Sequence, residues 1–371
     1  MVSSPSLLFM KNYCCLCWLC GDIDINMPYQ KKVFMSFNLK KYNTFGLEVK
    51  AAFGFVLNDM AMLPLILKKI SESQYGFIVL GGGSDVLFQE DYAGVVVINR
   101  LKGMQFEEDA NFFYVRAEGG EVFHEVIETC MKRGVYGLEG LALIPGTVGA
   151  APIQNVGAYG STFSDFCRYV EVMDLKNGKL ERIKSQDCAF GYRDSIFKRP
   201  ENKNRYIVTA VGLEIPKTWN PKRDYAALKA FDTSTPEKLF AAVCAVRSSK
   251  LPDPKVLGNA GSFFKNPVVS LEKLKEIQNE FPEVPNYPVD TEGLCKLAAG
   301  WLIEKAGCRG IRLGQVGTYE RQALVIVNHG GAKAGEIVDM AKYVIKKVQE
   351  KFGIKLEPEV RIFGRTGECS L

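Results

Sequence analysis

The feature that most constrains this chain is a long segment at residues 138–160, LEGLALIPGTVGAAPIQNVGAYG, hereafter the ribbon. After Glu139 it contains no charged residue, yet its prolines and glycines interrupt any helix, and Gln154 and Asn155 would need partners in lipid. A membrane span is therefore excluded. Glycines at this density suit backbone that turns sharply or approaches a large flat group. We interpret the ribbon as the bed of a bound cofactor, and the alternative is a buried loop without a ligand.

A shorter glycine loop precedes the ribbon in the chain. Residues 77–80 (FIVL) predict a buried strand that runs directly into GGGSD at residues 81–85. A strand followed by glycines and a serine is typical of backbone amides that converge on a phosphate. The loop has no lysine, and its spacing fits neither a Walker motif nor the Rossmann fingerprint. Alone it is equally compatible with a tight turn; its partnership with the ribbon favours a phosphate site.

Composition limits the classes of function. A length of 371 residues predicts two or three domains, and 47% hydrophobic with 24% charged residues is typical of a soluble globular protein. The net charge of +5 is dispersed, which argues against a nucleic-acid surface and fits a pocket for an anionic small molecule. The only histidines, His124 and His329, are interpreted as surface or capping residues. Zinc hydrolases and histidine-based triads are therefore not expected.

The cysteines form two groups. Seven are scattered from Cys130 to Cys369 and indicate reduced, mostly buried thiols of a cytoplasmic protein. Four crowd into NYCCLCWLC, where Cys17 and Cys20 have the spacing of a metal or disulfide-exchange pair, but no second ligand pair accompanies them. No metal site is predicted. Residues 1–34 are interpreted as a disordered extension or a mis-assigned start, without a functional role.

The order of the predicted elements favours an α+β protein, because helices and strands are mixed without strict alternation. The hydrophobic pattern predicts strands at 95–98, 112–117, 207–215 and 323–327, a hairpin at 169–183, and helices at 58–70, 121–132, 235–247, 271–280 and 334–351. It also predicts a helix at 294–305 and a strand at 355–362. On that strand Glu357 and Glu359 would share a face.

Three motifs have unusual residue orders that suit chemistry. FGYRDSIFK places Arg193 between a tyrosine and Asp194, GNAGSFFKNP places Ser262 after a glycine turn, and LEPEVRIFG carries Glu359 near Arg361. Each also has a purely structural interpretation: an Arg193–Asp194 ion pair, a turn hydroxyl, and a Glu359–Arg361 salt bridge. Since histidine is scarce, chemistry at such a site would depend on a bound cofactor assisted by these side chains.

Together the loop, the ribbon and the three motifs resemble the MurB family of peptidoglycan synthesis, the UDP-N-acetylenolpyruvoylglucosamine reductases. The resemblance runs from NTFG at Asn43 to LEPEVR at Arg361 and includes KLPDPKV and KLAAGWLIEKAG. It implies an α+β protein with an FAD-binding domain of the PCMH/VAO type at residues 35–216, made of two α+β subdomains at about 35–101 and 102–216. An α+β substrate-binding domain would follow at 217–371.

The resemblance implies FAD as cofactor, with its diphosphate on the glycine loop and its flavin against the ribbon. The residues implied in cofactor binding are Gly81, Gly82, Gly83, Ser84, Asp85, Ile144, Pro145, Gly146, Thr147, Gly149, Ile153, Gln154, Asn155 and Gly157. Some relatives in the wider superfamily attach flavin through His or Cys, and neither residue occurs in the loop or the ribbon. We therefore expect FAD that is not covalently bound.

The resemblance also implies the reaction. NADPH reduces the flavin, flavin N5 delivers hydride to the enolpyruvyl ether of UDP-N-acetylglucosamine, and the product is UDP-N-acetylmuramate. Arg193 would hold the substrate carboxylate, Ser262 would protonate the carbanion, and Glu359 would act on the enolate carboxylate. The protein is expected to be a monomer that binds neither nucleic acid nor membrane.

Substrate-binding residues follow from the same family pattern. They are Tyr225, Lys250, Asn266, Tyr287, Lys296 and Gln322, and the segment around Tyr225 indicates the longer, type I form. Two positions depart from the pattern. Asp85 stands where asparagine is frequent, so its carboxyl must be turned away from a diphosphate or hydrogen-bonded, and the match around Gln322 is loose. The competing functions are a flavin oxidase of the same fold and a non-catalytic nucleotide-sugar or flavin-binding protein.

Overall fold

The computed structural model describes residues 33–222, 225–289 and 291–371. The predicted extension at residues 1–34, with its cysteine cluster, lies outside the described residues except for its last two positions. Those two positions are part of the first strand, Val33–Asn38, so the folded body begins slightly earlier than predicted. Six α-helices occur in the described chain: α1 Leu63–Glu72, α2 Phe123–Lys132, α3 Pro236–Lys250, α4 Leu271–Glu280, α5 Ala299–Lys305 and α6 Ala334–Phe352.

The first sheet is mixed and carries the glycine loop. Its strands, in spatial order, are Val33–Asn38, Lys50–Leu57, Tyr92–Asn99 and Phe77–Leu80. The first pair is antiparallel and the other pairs are parallel. Helix α1 packs its buried Leu63 and Ile66 on one face of this sheet. Phe77–Leu80 is an edge strand of this sheet, and the glycine loop follows it directly.

The second sheet is antiparallel and supports the ribbon. Its strands are Lys179–Lys184, Cys167–Asp174, Tyr206–Pro216, Phe112–Glu118 and Met104–Glu108. Helix α2 and the apolar residues of the ribbon, such as Leu141 and Val148, form one core with the inward faces of these strands. Much of the ribbon is buried against this sheet, which agrees with the lack of charged residues after Glu139.

The C-terminal part contains two further antiparallel sheets. One has the strands Gly258–Ser262, Gln322–Asn328, Val316–Tyr319 and Arg312–Leu313; the other has Val268–Ser270, Leu294–Leu297 and Asn286–Pro288. Helices α5 and α6 pack against the first of them. Helices α3 and α4 begin at side-chain caps, in which Thr235 accepts from the Lys238 amide and Ser270 from the Lys273 amide.

Two predicted elements are wrong. The segment 294–305 is not one helix, because Leu294–Leu297 pairs with a strand on each side before α5 begins at Ala299. The predicted strand at 355–362 is displaced: regular pairing begins only at Arg361, and Pro358 makes a single bridge to Phe264. Pro358 lacks an amide donor and limits pairing there.

A small sheet joins the segment after the glycine loop to the C-terminal end of the described chain. Arg361–Gly364 pairs in parallel with Val86–Phe88, and Gly367–Cys369 pairs with its other edge. The core beneath it is continuous, and Phe88 stacks on Phe363 at 5.4 Å between ring centroids. The strand after the glycine loop is thereby fixed to the strand after Glu359. Within the described residues, no helix has the length and apolar character needed to cross a membrane.

Candidate active site

The glycine loop presents its amides and turns its carbonyl groups away. Gly81 accepts a hydrogen bond from Arg100 at 2.9 Å, and Gly83 accepts from the Thr44 amide at 3.0 Å. The amides of residues 82–85 have no acceptor among the described residues. Gly83 has a φ of +65°, which favours glycine. This arrangement fits the diphosphate of a dinucleotide, since unpaired amides are donors for phosphate oxygens.

The ribbon approaches the glycine loop at backbone distance. A Cβ placed on Gly82 would lie 2.9 Å from the Gly146 Cα, so only glycine allows this approach. The Thr147 hydroxyl is buried close to Gly81 and has no hydrogen-bond partner among the described residues. A buried polar group without a partner is costly. The hydroxyl faces the glycine loop, which fits a site where a bound ligand supplies the missing hydrogen-bond partner.

A cavity lies between the loop and the ribbon. Most of the predicted cofactor-binding residues line it, namely Gly81, Gly82, Gly83, Ser84, Asp85, Pro145, Gly146, Thr147, Gly149, Ile153 and Gln154. Ile144 and Gly157 line the neighbouring cavity. Asn155 lines neither of these two; it is buried and donates to the Gly191 carbonyl at 3.2 Å, and its role in cofactor binding stays a prediction.

Arg193 is placed by contacts between its loop and the ribbon. Besides the bond from Asn155 to Gly191, the fully buried Ser195 donates to the Ile153 carbonyl at 2.6 Å. Lys198 donates through Nζ to the Arg193 carbonyl at 2.9 Å. The backbone of Arg193 has a φ of 54°, a strained value for a residue with a side chain. These contacts outweigh the strain and aim the guanidinium at the second cavity.

Glu359 is held between two segments by backbone hydrogen bonds. Its amide donates to the Phe263 carbonyl at 2.8 Å, and the Arg361 amide donates to the Asp85 carbonyl at 3.1 Å. Arg193 Nε lies 2.5 Å from Glu359 Oε1, and the Glu359 side chain is only 12% exposed. Glu357 does not share this orientation, because its side chain is 75% exposed and contacts Lys265. The prediction that the two glutamates face the same way is therefore wrong.

The purely structural ion pairs considered for two motifs do not form. Arg193 pairs with Glu359, which lies far away in the sequence, and not with its neighbour Asp194. Arg361 pairs with Glu368 at 2.9 Å and not with Glu359. The arginine and the carboxylate of the two motifs are therefore brought together, as a shared catalytic role requires.

Ser262 lies at the end of the strand Gly258–Ser262, where the pairing is irregular. Gly261 has a φ of +70° and donates to the Asn259 side chain at 2.9 Å, and the register with the neighbouring strand shifts between Asn259 and Ser262. An irregularity of this kind redirects a side chain at the edge of a site. Ser262 lines the same cavity as Arg193 and Glu359.

The two cavities are adjacent and share part of their lining. Ser84, Asp85, Pro145, Gln154 and Val156 line both. A group that extends from the glycine loop along the ribbon would therefore reach the cavity that holds the three predicted catalytic side chains. This arrangement allows a cofactor in one cavity to react with a substrate in the other.

Asp85 is a partly buried residue at the junction of these cavities. Burial, with the nearby charge of Glu359, raises its pKa to about 8, although Arg361, Lys198 and a hydrogen bond from Gln154 act in the opposite direction. The carboxyl is therefore mostly neutral at pH 7 and is hydrogen-bonded. An acid at this position was expected to be either turned away from a diphosphate or hydrogen-bonded, and Asp85 shows the second arrangement.

None of the predicted substrate-binding residues lines the catalytic cavity. Asn266 hydrogen bonds to Tyr192, and Lys296 Nζ lies 4.2 Å from the Tyr192 ring centroid. Tyr287 is paired in register with Lys296. Tyr225 packs edge-on against Tyr159 at 5.0 Å between centroids.

The two other predicted substrate residues lie farther from this group. Lys250 is the exposed last residue of α3. The Gln322 side chain lies against Gly300 and 3.4 Å from the Leu324 amide, which is a structural contact within the C-terminal part.

One wall of the cofactor cavity was not predicted from the sequence. This wall comes from the segment after the Arg193 motif and consists of Phe197, Lys198, Asn202, Asn204, Arg205 and Tyr206. The basic and amide residues in FKRPENKNRY were a usable signal, because they follow a catalytic motif directly. Tyr192 and Arg247 were missed as well. No group of three acidic, cysteine or histidine residues in the described chain is arranged to hold a metal ion.

The fold and the joined cavities define the chain as a flavin-dependent oxidoreductase with a PCMH/VAO-type FAD-binding fold. A family model for an FAD binding domain matches residues 55–184, and a model for the C-terminal domain of UDP-N-acetylenolpyruvoylglucosamine reductase matches residues 253–363. The chain belongs to the MurB family, the UDP-N-acetylenolpyruvoylglucosamine reductases. The fold class and the family expected from the motifs are thus confirmed.

Curated relatives support this assignment over nearly the whole chain. The UDP-N-acetylenolpyruvoylglucosamine reductase of Escherichia coli O157:H7 is 46% identical over 338 residues, which cover 91% of this chain and 98% of that protein. The reductase of Shewanella oneidensis is 47% identical over 337 residues, with 90% and 98% covered. The crystal structure of MurB from Thermus caldophilus has the same fold, with a TM-score of 0.61 at 24% identity and coverage of 90% and 98%.

Proposed function

We propose that this protein reduces the enolpyruvyl ether of UDP-N-acetylglucosamine to UDP-N-acetylmuramate in peptidoglycan precursor synthesis, with FAD as cofactor and NADPH as reductant. The supporting observation is the convergence of Arg193, Ser262 and Glu359 on one cavity that opens onto the loop and ribbon. Three segments distant in sequence supply these side chains. A non-catalytic flavin-binding protein would not need that convergence.

The chain's own residues hold the cofactor in this proposal. The unpaired amides of residues 82–85 bind the FAD diphosphate, and the buried Thr147 hydroxyl gains a partner from the bound cofactor. The loop and the ribbon contain neither His nor Cys, so the cofactor is held without a covalent bond. When bound, FAD supplies the hydride that is added to the substrate.

One side chain stabilises the negative charge that develops on the substrate, and another supplies the proton. Hydride addition to the terminal vinyl carbon places a pair of electrons on the neighbouring carbon, which is stabilised by its carboxylate as an enolate. Arg193 binds that carboxylate through its planar fork, and Ser262 transfers its hydroxyl proton to the carbon. The serine then recovers a proton from solvent. Each turnover adds one hydride and one proton across the double bond.

Glu359 prepares Arg193 for this role. The ion pair at 2.5 Å holds the guanidinium in the cavity before substrate arrives, which reduces the entropy lost on binding. The substrate carboxylate would approach the remaining donors of Arg193, close to Glu359. Glu359 is thus the group that contacts the carboxylate end of the enolate, as the family resemblance implies.

The nucleotide part of the substrate lies outside the catalytic cavity in this proposal. Tyr225, Lys250, Asn266, Tyr287, Lys296 and Gln322 are the residues proposed to contact it. Asn266, Tyr287 and Lys296 are supported by their grouping around Tyr192. Gln322 has the least support, because its side chain contacts the Leu324 amide within the C-terminal part.

A single assay tests the function. Purified protein loaded with FAD is mixed with NADPH, with and without UDP-N-acetylglucosamine enolpyruvate, and NADPH absorbance is followed together with oxygen consumption. Rapid NADPH oxidation that requires the substrate is expected. Equal oxidation without substrate, accompanied by oxygen uptake, would identify an oxidase, and no turnover under either condition would identify a binding protein.

A further inference from the structure

Arg247 is a partly buried arginine in the catalytic cavity that has no hydrogen-bond or ion-pair partner among the described residues. It lies near the end of α3, and its side chain lines the cavity together with Arg193, Ser262 and Glu359. Its Nε is buried and has no hydrogen-bond partner among the described residues. Nor does any ion pair or hydrogen bond reach the rest of its guanidinium from the described part of the chain.

The charges near Arg247 do not compensate its own. The ionisable groups that affect it are Tyr159, Cys244 and Arg193; none is a carboxylate, and Arg193 repels it. Burial lowers the pKa of Arg247, but a guanidinium remains charged in proteins. Arg193 differs, because Glu359 balances its charge.

The buried Nε of Arg247 is a donor without a partner, and such a group is costly for a folded protein. A residue of this kind in an enzyme cavity is therefore retained for a ligand. Neither of the other carboxylates that line the cavity with Asp85 forms an ion pair with Arg247: Glu359 is paired with Arg193, and Asp253 is exposed. The guanidinium of Arg247 has the sign needed for an anionic ligand group.

We infer that Arg247 is a second anion-binding residue of the active site, which takes a carboxylate or phosphate oxygen of the nucleotide-sugar substrate. This inference rests on the proposed function. Its location supports a substrate contact: Arg247 lies beside Tyr159, whose ring packs against Tyr225, a proposed nucleotide contact. Arg247 thus lies between the proposed carboxylate clamp and the proposed nucleotide residues.

The test compares Arg247→Met and Arg247→Lys with a surface control, Arg168→Gln, all in the FAD-loaded protein. Arg168 is half exposed on the second sheet, away from both cavities. Calorimetry measures the affinity for UDP, UDP-N-acetylglucosamine and UDP-N-acetylglucosamine enolpyruvate. We expect Arg247→Met to bind the enolpyruvate at least about 10-fold more weakly, the scale of a lost charged hydrogen bond, with a smaller loss for Arg247→Lys.

The choice of ligands distinguishes the two sources of the anion. Weaker binding of all three ligands assigns Arg247 to the diphosphate, whereas weaker binding of the enolpyruvate alone assigns it to the carboxylate. The melting temperature without substrate should not fall in Arg247→Met, because the guanidinium makes no hydrogen bond or ion pair with the described residues that the substitution would remove.

Three results would overturn the inference. Unchanged affinity for all three ligands in Arg247→Met would exclude a substrate contact, and a lower melting temperature with unchanged affinity would make Arg247 structural. A shifted flavin midpoint potential with unchanged affinity would assign the residue to the cofactor. If the wild-type protein binds none of the ligands, the proposed function fails and the inference fails with it; an unaffected variant of a binding wild type overturns the inference alone.

Discussion

Asp85 connects the chemistry of one side chain to the stability of the molecule. In the folded protein its pKa is raised from 3.8 to about 8, so the folded state keeps a proton that the unfolded state loses above about pH 4. Stability therefore decreases as the pH rises between about 4 and 8, by up to about 1.4 kcal/mol per pH unit from this group. Above the folded pKa no further loss arises from it.

The variant Asp85→Asn removes this titration and keeps a polar side chain of the same size. The free energy of unfolding, measured by urea denaturation from pH 4 to 8 at constant flavin content, should fall less with pH than that of the wild type. At pH 7 the variant should be the more stable protein. Asp339→Asn, on the exposed face of α6, serves as control. Parallel pH profiles of Asp85→Asn and wild type would contradict the raised pKa.

Ser262 is the residue on which the proposed proton transfer depends. In Ser262→Ala, reduction of the flavin by NADPH should proceed at the normal rate, because that step needs no proton from the serine. Reduction of the substrate should slow by at least about 100-fold, the scale of losing a general acid. Stopped-flow absorbance of the flavin separates the two steps.

Ser262→Cys is the matched variant, since a thiol is a stronger acid than a hydroxyl and can still donate a proton. We expect it to retain more of the second step than Ser262→Ala. If Ser262→Ala reduces the substrate as fast as the wild type, another group supplies the proton.

At the scale of residues, the sequence pointed to side chains that share a cavity but did not predict their contacts, and their catalytic role stays a prediction. Arg193, Ser262 and Glu359 share a cavity, as expected of a catalytic group. The Arg193–Glu359 pair was not predicted, because the partners are 166 residues apart and local spacing carries no information about such pairs. Arg247 was missed for a related reason: its lack of a partner is visible only when its surroundings are known.

At the scale of elements, the position of Glu359 depends on a short parallel strand pair. Arg361–Gly364 pairs with Val86–Phe88, and the ring of Phe363 is buried against Phe88. Phe363→Ala should therefore lower the free energy of unfolding by about 3–5 kcal/mol, as is usual for a buried phenylalanine. Chemical denaturation measures this loss.

Phe231→Ala is the control for Phe363→Ala, since Phe231 is 42% exposed and its loss should cost less than about 1 kcal/mol. A similar loss for both variants would show that the strand pair contributes little. A Phe363→Ala protein that folds should also show reduced turnover, because Glu359 lies only four residues from the substituted ring.

Element predictions failed where tertiary pairing overrides local pattern. The apolar spacing at 294–305 is compatible with a helix throughout, but two neighbouring strands pair with Leu294–Leu297. By contrast, Phe77–Leu80 and α4 Leu271–Glu280 occur at the predicted residues. The strand is a short apolar run bounded by glycines, and the helix has a serine cap, so local signals were sufficient there.

At the scale of the whole molecule, the proposed FAD site joins distant parts of the chain. Its cavity is lined by the loop, the ribbon and the 197–206 segment, and also by Arg361 near the C-terminus. Bound FAD should therefore stabilise the whole fold, by about 2.7 kcal/mol when free FAD is at 100 times its Kd. The melting temperature should rise as FAD is added to protein from which the flavin has been removed.

Denaturation of the FAD-loaded protein tests whether FAD is held without a covalent bond. Acid or urea should release the yellow chromophore completely into the supernatant after the protein is precipitated. Colour that remains with the protein would contradict non-covalent binding. A melting temperature independent of added FAD would show that the cavity does not bind it.

The whole fold was partly predictable. The α+β class and the family follow from the motifs and are confirmed, but the joining of the first sheet to the C-terminal part was not foreseen. The predicted boundaries at 101 and 216 stay predictions, and the hydrophobic core that links residues 37–98 to residues 260–363 crosses both. The monomeric state and the cytoplasmic location also stay predictions.

The parallel pair between Val86–Phe88 and Arg361–Gly364 has a consequence for biosynthesis. A ribosome releases the glycine loop and the ribbon well before it releases Glu359 and the strand that fixes it. A nascent chain can therefore form much of the proposed flavin bed while it still lacks Glu359, the proposed catalytic carboxylate. The C-terminal strand must then pair with Val86–Phe88 to place Glu359, so premature termination near the C-terminus should leave a product without reductase activity.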